Sequence, residues 1–185
     1  MDIMFFYNKN PLLVMSYISK FKGQNKEVTA SKISKQLGLS IGSVYSILKE
    51  FNNAGLITGE KIGRATIYEP IRSNPLIKQF RIFDNLIFLT NLVQQLKYFS
   101  RKIILFGSCA CGDDTIESDI DLFLLVDEDL QSKVRGIISN YPSEREIKTV
   151  IIDSVELLEM QNKDQVFYEE IRKGITLWSE DNEDY

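Results

Sequence analysis

The chain has 185 residues, with 22 Lys/Arg against 26 Asp/Glu, a formal charge of −4 and no histidine. That length allows one domain or two small ones. The missing histidine excludes Ser-His-Asp hydrolysis, His-ligated zinc and histidine general bases, so chemistry falls to carboxylates, lysines, hydroxyls, thiols or bound metals.

Met1–Asn10 carries an acidic residue, no basic flank and too short an apolar run for a secretory signal. The longest apolar segment, Leu86–Val93, is broken by Thr90 and Asn91 and falls far short of a membrane span. A cytoplasmic protein without a membrane partner is expected. Charge is unevenly spread: residues 1–75 hold ten Lys/Arg against five Asp/Glu, and residues 76–185 hold twelve against twenty-one. A basic front and an acidic back suggest two domains with different partners, the front one meeting phosphate backbones. An ordinary solvated surface is the plainer reading of the same imbalance.

Pro11 opens a helical stretch with Leu12, Leu13, Met15, Tyr17, Ile18 and Phe21 as its apolar side. Thr29 or Ser31 caps a second helix, Lys32–Leu37, which stops at Gly38. Ser40 caps a third, in which Val44, Ile47, Leu48 and Phe51 recur at helical spacing. Two β-like runs follow, Leu56–Lys61 and Ala65–Glu69, around the turn Ile62-Gly63-Arg64. Helix, helix, turn, helix, hairpin is the order of a winged helix–turn–helix. The segment TASKISKQLGLSIGSVYSILKEFNNAGLI resembles the winged-helix transcription regulators over about residues 10–70.

That resemblance implies DNA as a partner. Ser40, Ser43, Tyr45, Ser46 and Lys49 face away from the core and are candidates for a major groove. Lys61 and Arg64 flank the wing turn and are candidates for phosphates or a minor groove, and Lys32 and Lys35 on the preceding helix are further phosphate candidates. The outward face is poor in Arg, Asn and Gln, the usual bidentate base readers, so recognition leans on backbone and shape. A winged helix used only for protein contact remains the alternative.

Asn74-Pro75 marks a break, and Leu76–Ser100 reads as one long linker helix, apolar nearly all round and therefore buried on several sides. It is expected to pack on the second domain and also on the first or on a second subunit, which makes a homodimer the expected assembly. The expected domain limits are 1–73, 74–100 and 101–185.

The next stretch, IILFGSCACGDDTIESDIDLFLLV over Ile103–Val126, reads as two buried strands bounded by Gly and charge. Asp119 and Asp121 stand one residue apart, so both side chains leave one face, about 7 Å apart at the backbone. Paired carboxylates of this kind suit Mg²⁺. Gly107-Ser108 offers backbone N–H groups and a hydroxyl for a phosphate. A pair of solvated aspartates at a strand end is the bland alternative.

Gly-Ser, ten residues, Asp-x-Asp resembles the signature of the minimal nucleotidyltransferases, small relatives of the DNA polymerase beta fold. The resemblance implies an α+β fold with a mixed sheet and flanking helices, and transfer of a nucleoside monophosphate from ATP or another NTP. It implies Asp119 and Asp121 as catalytic metal holders, Gly107 and Ser108 at the phosphates, and an acceptor that is a small molecule or a protein such as a partner toxin.

Downstream, Asp129–Tyr141 reads as a helix, Glu146–Ile152 as a strand, and Asp153–Met160 and Asp164–Lys173 as helices. Gly174–Trp178 reads as a short apolar tail, with a frayed acidic end over Glu180–Tyr185. Two departures from the family pattern stand out. Lys148 falls where the third carboxylate is usual: either Glu146, two residues earlier on the same face, serves as the third ligand, or the Lys148 ammonium replaces a metal charge and the site is weakened. Cys111 falls where Arg is common, and a thiol cannot offer a planar fork to phosphate. Cys109 and Cys111 make no disulfide framework; a redox or soft-metal role is the minor reading. Two functions stay open: a working Mg²⁺-dependent nucleotidyltransferase fused to a DNA-binding domain, antitoxin-like or autoregulatory, or a DNA-binding regulator whose degenerate transferase fold only binds nucleotide, a partner or itself.

Overall fold

The computed structural model describes residue 5, residues 7–21 and residues 28–181. Part of the segment screened for a secretory signal, residues 1–4 and 6, and the last four residues of the acidic end lie outside the described residues. The chain divides into two compact units, Met1–Arg81 and Ile82–Tyr185. Among the described residues no helix is long and apolar enough to cross a membrane.

The first unit is built from α1 (Lys9–Ser19), α2 (Ala30–Leu37), α3 (Ile41–Asn53) and a hairpin of β1 (Ile57–Ile62) and β2 (Ala65–Pro70). Of the two candidate caps for α2 it is Thr29 that serves, its side chain accepting from the Lys32 N–H at 3.3 Å. Gly38 then closes α2 in the left-handed region (φ 66°), and Ser40 caps α3 by accepting from the Ser43 N–H at 3.2 Å. Val44, Ile47, Leu48 and Phe51 all point into the core, as their spacing requires, together with Met15, Ile18, Ile33, Leu56, Ile77 and Phe80. Each such side chain contributes about 1.5–3 kcal/mol when fully buried. The antiparallel strands are in register from Ile57↔Pro70 to Ile62↔Ala65, which leaves Gly63-Arg64 as the loop.

Helix α4 (Pro75–Leu96) begins with Asn74, whose Oδ1 accepts from the Leu76 N–H at 2.9 Å, and has Pro75 as its first residue. Its Ile77 and Phe80 belong to the first core, and its Leu89, Leu92 and Leu96 to a core in the second unit.

The second unit is a four-stranded sheet in the order β5-β4-β3-β6, with β3 (Lys102–Phe106), β4 (Ile120–Leu125), β5 (Ile147–Ile152) and β6 (Ile175–Ser179). β3 is antiparallel to β4 and β6, and β4 is parallel to β5, so the sheet is mixed. Alternation sorts the side chains. Ile103, Leu105, Leu122 and Leu124 pack with Leu89, Leu92 and Leu96 of α4 and Val134 of α6 (Gln131–Ser139). Ile104, Phe106 and Phe123 pack on the opposite face with Leu157 and Met160 of α7 (Ser154–Lys163) and Phe167 and Ile171 of α8 (Gln165–Arg172). Helices thus cover both faces, as strands apolar on both sides demand.

Three expectations are corrected. Gly174–Trp178 is no tail: residues Ile175–Ser179 form edge strand β6, because β3 offers a free ladder to a run of branched and aromatic residues. The expected strand Glu146–Ile152 starts one residue later, at Ile147. The linker helix stops at Leu96 and is not buried all round: Leu76 and Ile87 are 58% and 60% exposed, because each core takes only the one stripe of α4 that faces it.

Candidate functional site

The site forms where β3 ends and β4 begins. Phe106 pairs with Asp121, and Gly107 follows with φ 66°, opening the short helix α5 (Gly107–Cys111). A side chain at Gly107 would place its Cβ 2.7 Å from Asp121 Oδ2. Glycine is therefore required twice, for a left-handed backbone and for the close approach of a carboxylate. Ser108 is half-buried beside it.

Asp121 lies opposite Lys148 in the parallel β4/β5 ladder, so Asp119, Asp121 and Lys148 share the sheet face covered by α7 and α8. Lys148 Nζ lies 2.6 Å from Asp119 Oδ2. Burial pushes the Asp121 carboxyl above its ordinary value, the charges of Asp119 and Glu170 add to the rise, and Lys148 and Arg145 oppose it. The hydrogen bond and charge of Asp119 hold the Lys148 ammonium above its ordinary value, with Glu146 and Asp121 adding to the effect. Among the described residues no three His, Cys, Asp or Glu side chains gather as a metal-holding group. Glu146 is exposed at the head of β5 and does not complete a set of three with Asp119 and Asp121; the ammonium of Lys148 holds that corner of the site. The donors that remain, two carboxylates on one face, suit one hard divalent cation.

The sequence gives no hint of Arg145, which ties the site together. Its Nε donates to the Ser118 carbonyl at 2.7 Å, and its Nη2 to the Asp119 carbonyl at 3.3 Å. Its Nη1 reaches Asn85 Oδ1 and Asp114 Oδ2, both at 3.2 Å, and its Nη2 lies 2.9 Å from Cys109 Sγ. Asp114 is fully buried. The loop that delivers Asp119 to the start of β4 is therefore pinned by one guanidinium from the approach to β5. Flanked by Glu144 and Glu146, Arg145 reads in the sequence as part of a solvated charge run.

Cys109 is buried, whereas Cys111 is exposed. Cys111 lines a cleft of about 260 Å³ with Gly107 and Ser108 on one side and Glu170, Lys173 and Gly174 on the other. Lys173, just beyond α8, brings to this cleft a cation that Cys111 cannot supply, and sequence reasoning missed both it and Glu170. Their i, i+3 spacing puts them on one side at the end of α8 but does not say which neighbour that side meets.

In the first unit, Tyr45, Ser46 and Lys49 are exposed on the outer side of α3 and Ser43 is half-exposed. The Ser40 hydroxyl is engaged in capping α3. Lys61 and Arg64 are exposed on either side of Gly63 (φ 60°), and Lys32 and Lys35 are exposed on α2.

Residues 91–183, half of the chain, match the family model for Polymerase beta, Nucleotidyltransferase, and residues 24–74 match the model for the Sugar-specific transcriptional regulator TrmB. Among solved structures, the chain is similar to a nucleotidyltransferase of Sulfolobus solfataricus, at 15% identity and a TM-score of 0.39 over 56% of this chain and 88% of that one. It is also similar to the archaeal chromatin protein TrmBL2, at 13% identity and a TM-score of 0.33 over 92% of this chain and 72% of that one. No curated protein matches. With a TrmB-like region in front and the Gly-Ser/Asp-x-Asp sheet matched behind, the chain belongs to the polymerase beta nucleotidyltransferase family.

Proposed function

We propose that the protein is a cytoplasmic DNA-binding regulator whose second domain binds a nucleoside triphosphate, ATP in the first instance, with Mg²⁺, and transfers its nucleoside monophosphate to a protein or small acceptor. The observation that carries this reading is the seating of Asp121 against Gly107, which joins the carboxylate pair to the Gly107-Ser108 turn in one small site. In this reading residues 1–73 bind DNA, 74–100 link the domains with α4 over Pro75–Leu96, and 101–185 form the transferase. A homodimer through the exposed apolar residues of α4, Leu76 and Ile87, belongs to the same proposal, as does an antitoxin-like or autoregulatory role.

Asp119 and Asp121 would hold the cation, which when bound neutralises charge on the phosphates. Gly107 keeps the backbone low enough for phosphate oxygens to approach, and the Ser108 hydroxyl donates to them. Arg145 fixes the loop that aims Asp119. Lys148 must release Asp119 before both of its oxygens are available to a cation.

A second reading is favoured by that same ion pair: the site takes nucleotide without transferring it, and the nucleotide acts as a signal to the DNA-binding unit. Calorimetry of ATP with Mg²⁺, on the wild type and on the Asp119→Ala/Asp121→Ala variant, separates the two when label transfer from ATP is followed in the same samples. Binding lost in the variant, with label moving to an acceptor, supports the enzyme. Binding without transfer, and transfer gained in Lys148→Asp, supports the regulator. No binding in any sample sinks the nucleotide reading.

A further inference from the structure

The recognition face has a shortage: Ser40, Ser43, Tyr45, Ser46 and Lys49 include one cation and no carboxamide. The fold supplies both from elsewhere. A cleft of about 430 Å³ in the first unit is walled on one side by Ser43 and Ser46 of α3 and on the other by Asn8, Lys9 and Asn10, at the start of α1. Asn8, Lys9 and Asn10 are exposed, and among the described residues none that lines the cleft is acidic. Phe5, Pro11 and Ile47 complete it as apolar wall.

We infer that this cleft is a phosphate clamp for duplex DNA, holding a backbone phosphate of the strand beside the groove that α3 enters. The inference rests on the DNA-binding reading of the first unit and adds to it a second set of contacts. The chemistry fits: ammonium, carboxamide and hydroxyl groups are among the side chains that donate to phosphate oxygens, although the Asn8 amide already donates to the Phe5 carbonyl at 3.4 Å and would have to turn from it. Ser43 and Ser46 belong both to the cleft and to the flank of the recognition helix, so a strand seated there and a helix in the groove engage one and the same duplex. Phosphate contacts fix register without reading sequence, which suits a helix whose own face has few base readers.

The test is fluorescence anisotropy with a mixed-sequence duplex at stepped salt concentrations, on the full chain. Wild type is compared with Lys9→Gln, Asn8→Ala/Asn10→Ala and, as a reference on α3 that does not line the cleft, Lys49→Gln. Losing one phosphate contact flattens the slope of log K against log salt by about 0.9. Lys9→Gln is therefore expected to flatten the slope by about one and to weaken binding several-fold at low salt. The double asparagine variant is expected to weaken binding with the slope unchanged, because it removes neutral donors. Thermal unfolding of each variant separates loss of contact from loss of fold. Lys49→Gln weakening binding while Lys9→Gln and the asparagine variant match wild type overturns the clamp and leaves the DNA reading standing. Wild type that binds no duplex at any salt overturns both.

Discussion

Lys148 Nζ sits 2.6 Å from Asp119 Oδ2, so an ammonium from β5 occupies one of the few oxygens that a cation at this site would use. Both side chains are partly exposed, and the pair competes with a divalent ion directly. Lys148→Gln is expected to tighten Mg²⁺ binding on the order of tenfold by freeing that oxygen and removing a like charge. Calorimetric titration with Mg²⁺ alone, without nucleotide, measures it. Unchanged affinity would mean that the lysine swings clear at no cost.

Asp121 supplies the pH dependence. Its folded-state value is raised, first by burial, so its protonated form favours the fold. That contribution is present below the ordinary carboxylate range and is lost as pH rises through the raised value. Cation binding requires the ionised form and is expected to weaken in mild acid, before an ordinary aspartate would protonate. Lys148→Gln should move the midpoint further up, and Glu170→Gln should move it down, because those charges act on Asp121 with opposite sign. Carbon-detected NMR of the Asp121 carboxyl follows both shifts.

Gly107→Ala tests the seat of that carboxylate. The left-handed backbone alone costs about 1–2 kcal/mol for a residue with a Cβ, and here the new methyl also meets Asp121 Oδ2. Denaturant unfolding should show at least that loss, and the Mg²⁺ affinity should fall with it. Ser108→Ala, a change on the next residue without either conflict, should leave the unfolding midpoint close to wild type.

Arg145→Met removes the guanidinium partner of a fully buried carboxylate, Asp114. Breaking such a pair costs about 3–5 kcal/mol. Arg145→Lys should recover little, since one ammonium cannot reach Ser118, Asn85, Asp114 and Asp119 as the planar fork does. Denaturant midpoints of the three proteins decide the order.

The strands carrying the acids were legible because alternation acts locally: Ile103, Leu105, Leu122 and Leu124 bury one way, Ile104, Phe106 and Phe123 the other. The three front helices were legible through their caps and stops at Thr29, Gly38 and Ser40. Arg145 was not, because its partners lie 26 to 60 residues away in sequence and its neighbours are glutamates. Glu170 and Lys173 were missed for a related reason: their place in the cleft depends on how α8 docks on β3, which no local spacing encodes. Strand β6 was misread because five residues behind a helix acquire strand identity only from the neighbour they pair with.

Gly174 sets how far the chain can be shortened or altered from its far end. A Cβ there would collide with the carbonyls of Leu105 and Ile171 and with the Ile104 side chain. The helix that walls the cleft and the edge strand after it are therefore joined at a point with no clearance, pressed onto the strand that leads into Gly107. A cut before Ile175 would strip the ladder from one side of β3 and remove the strand that follows Glu170 and Lys173.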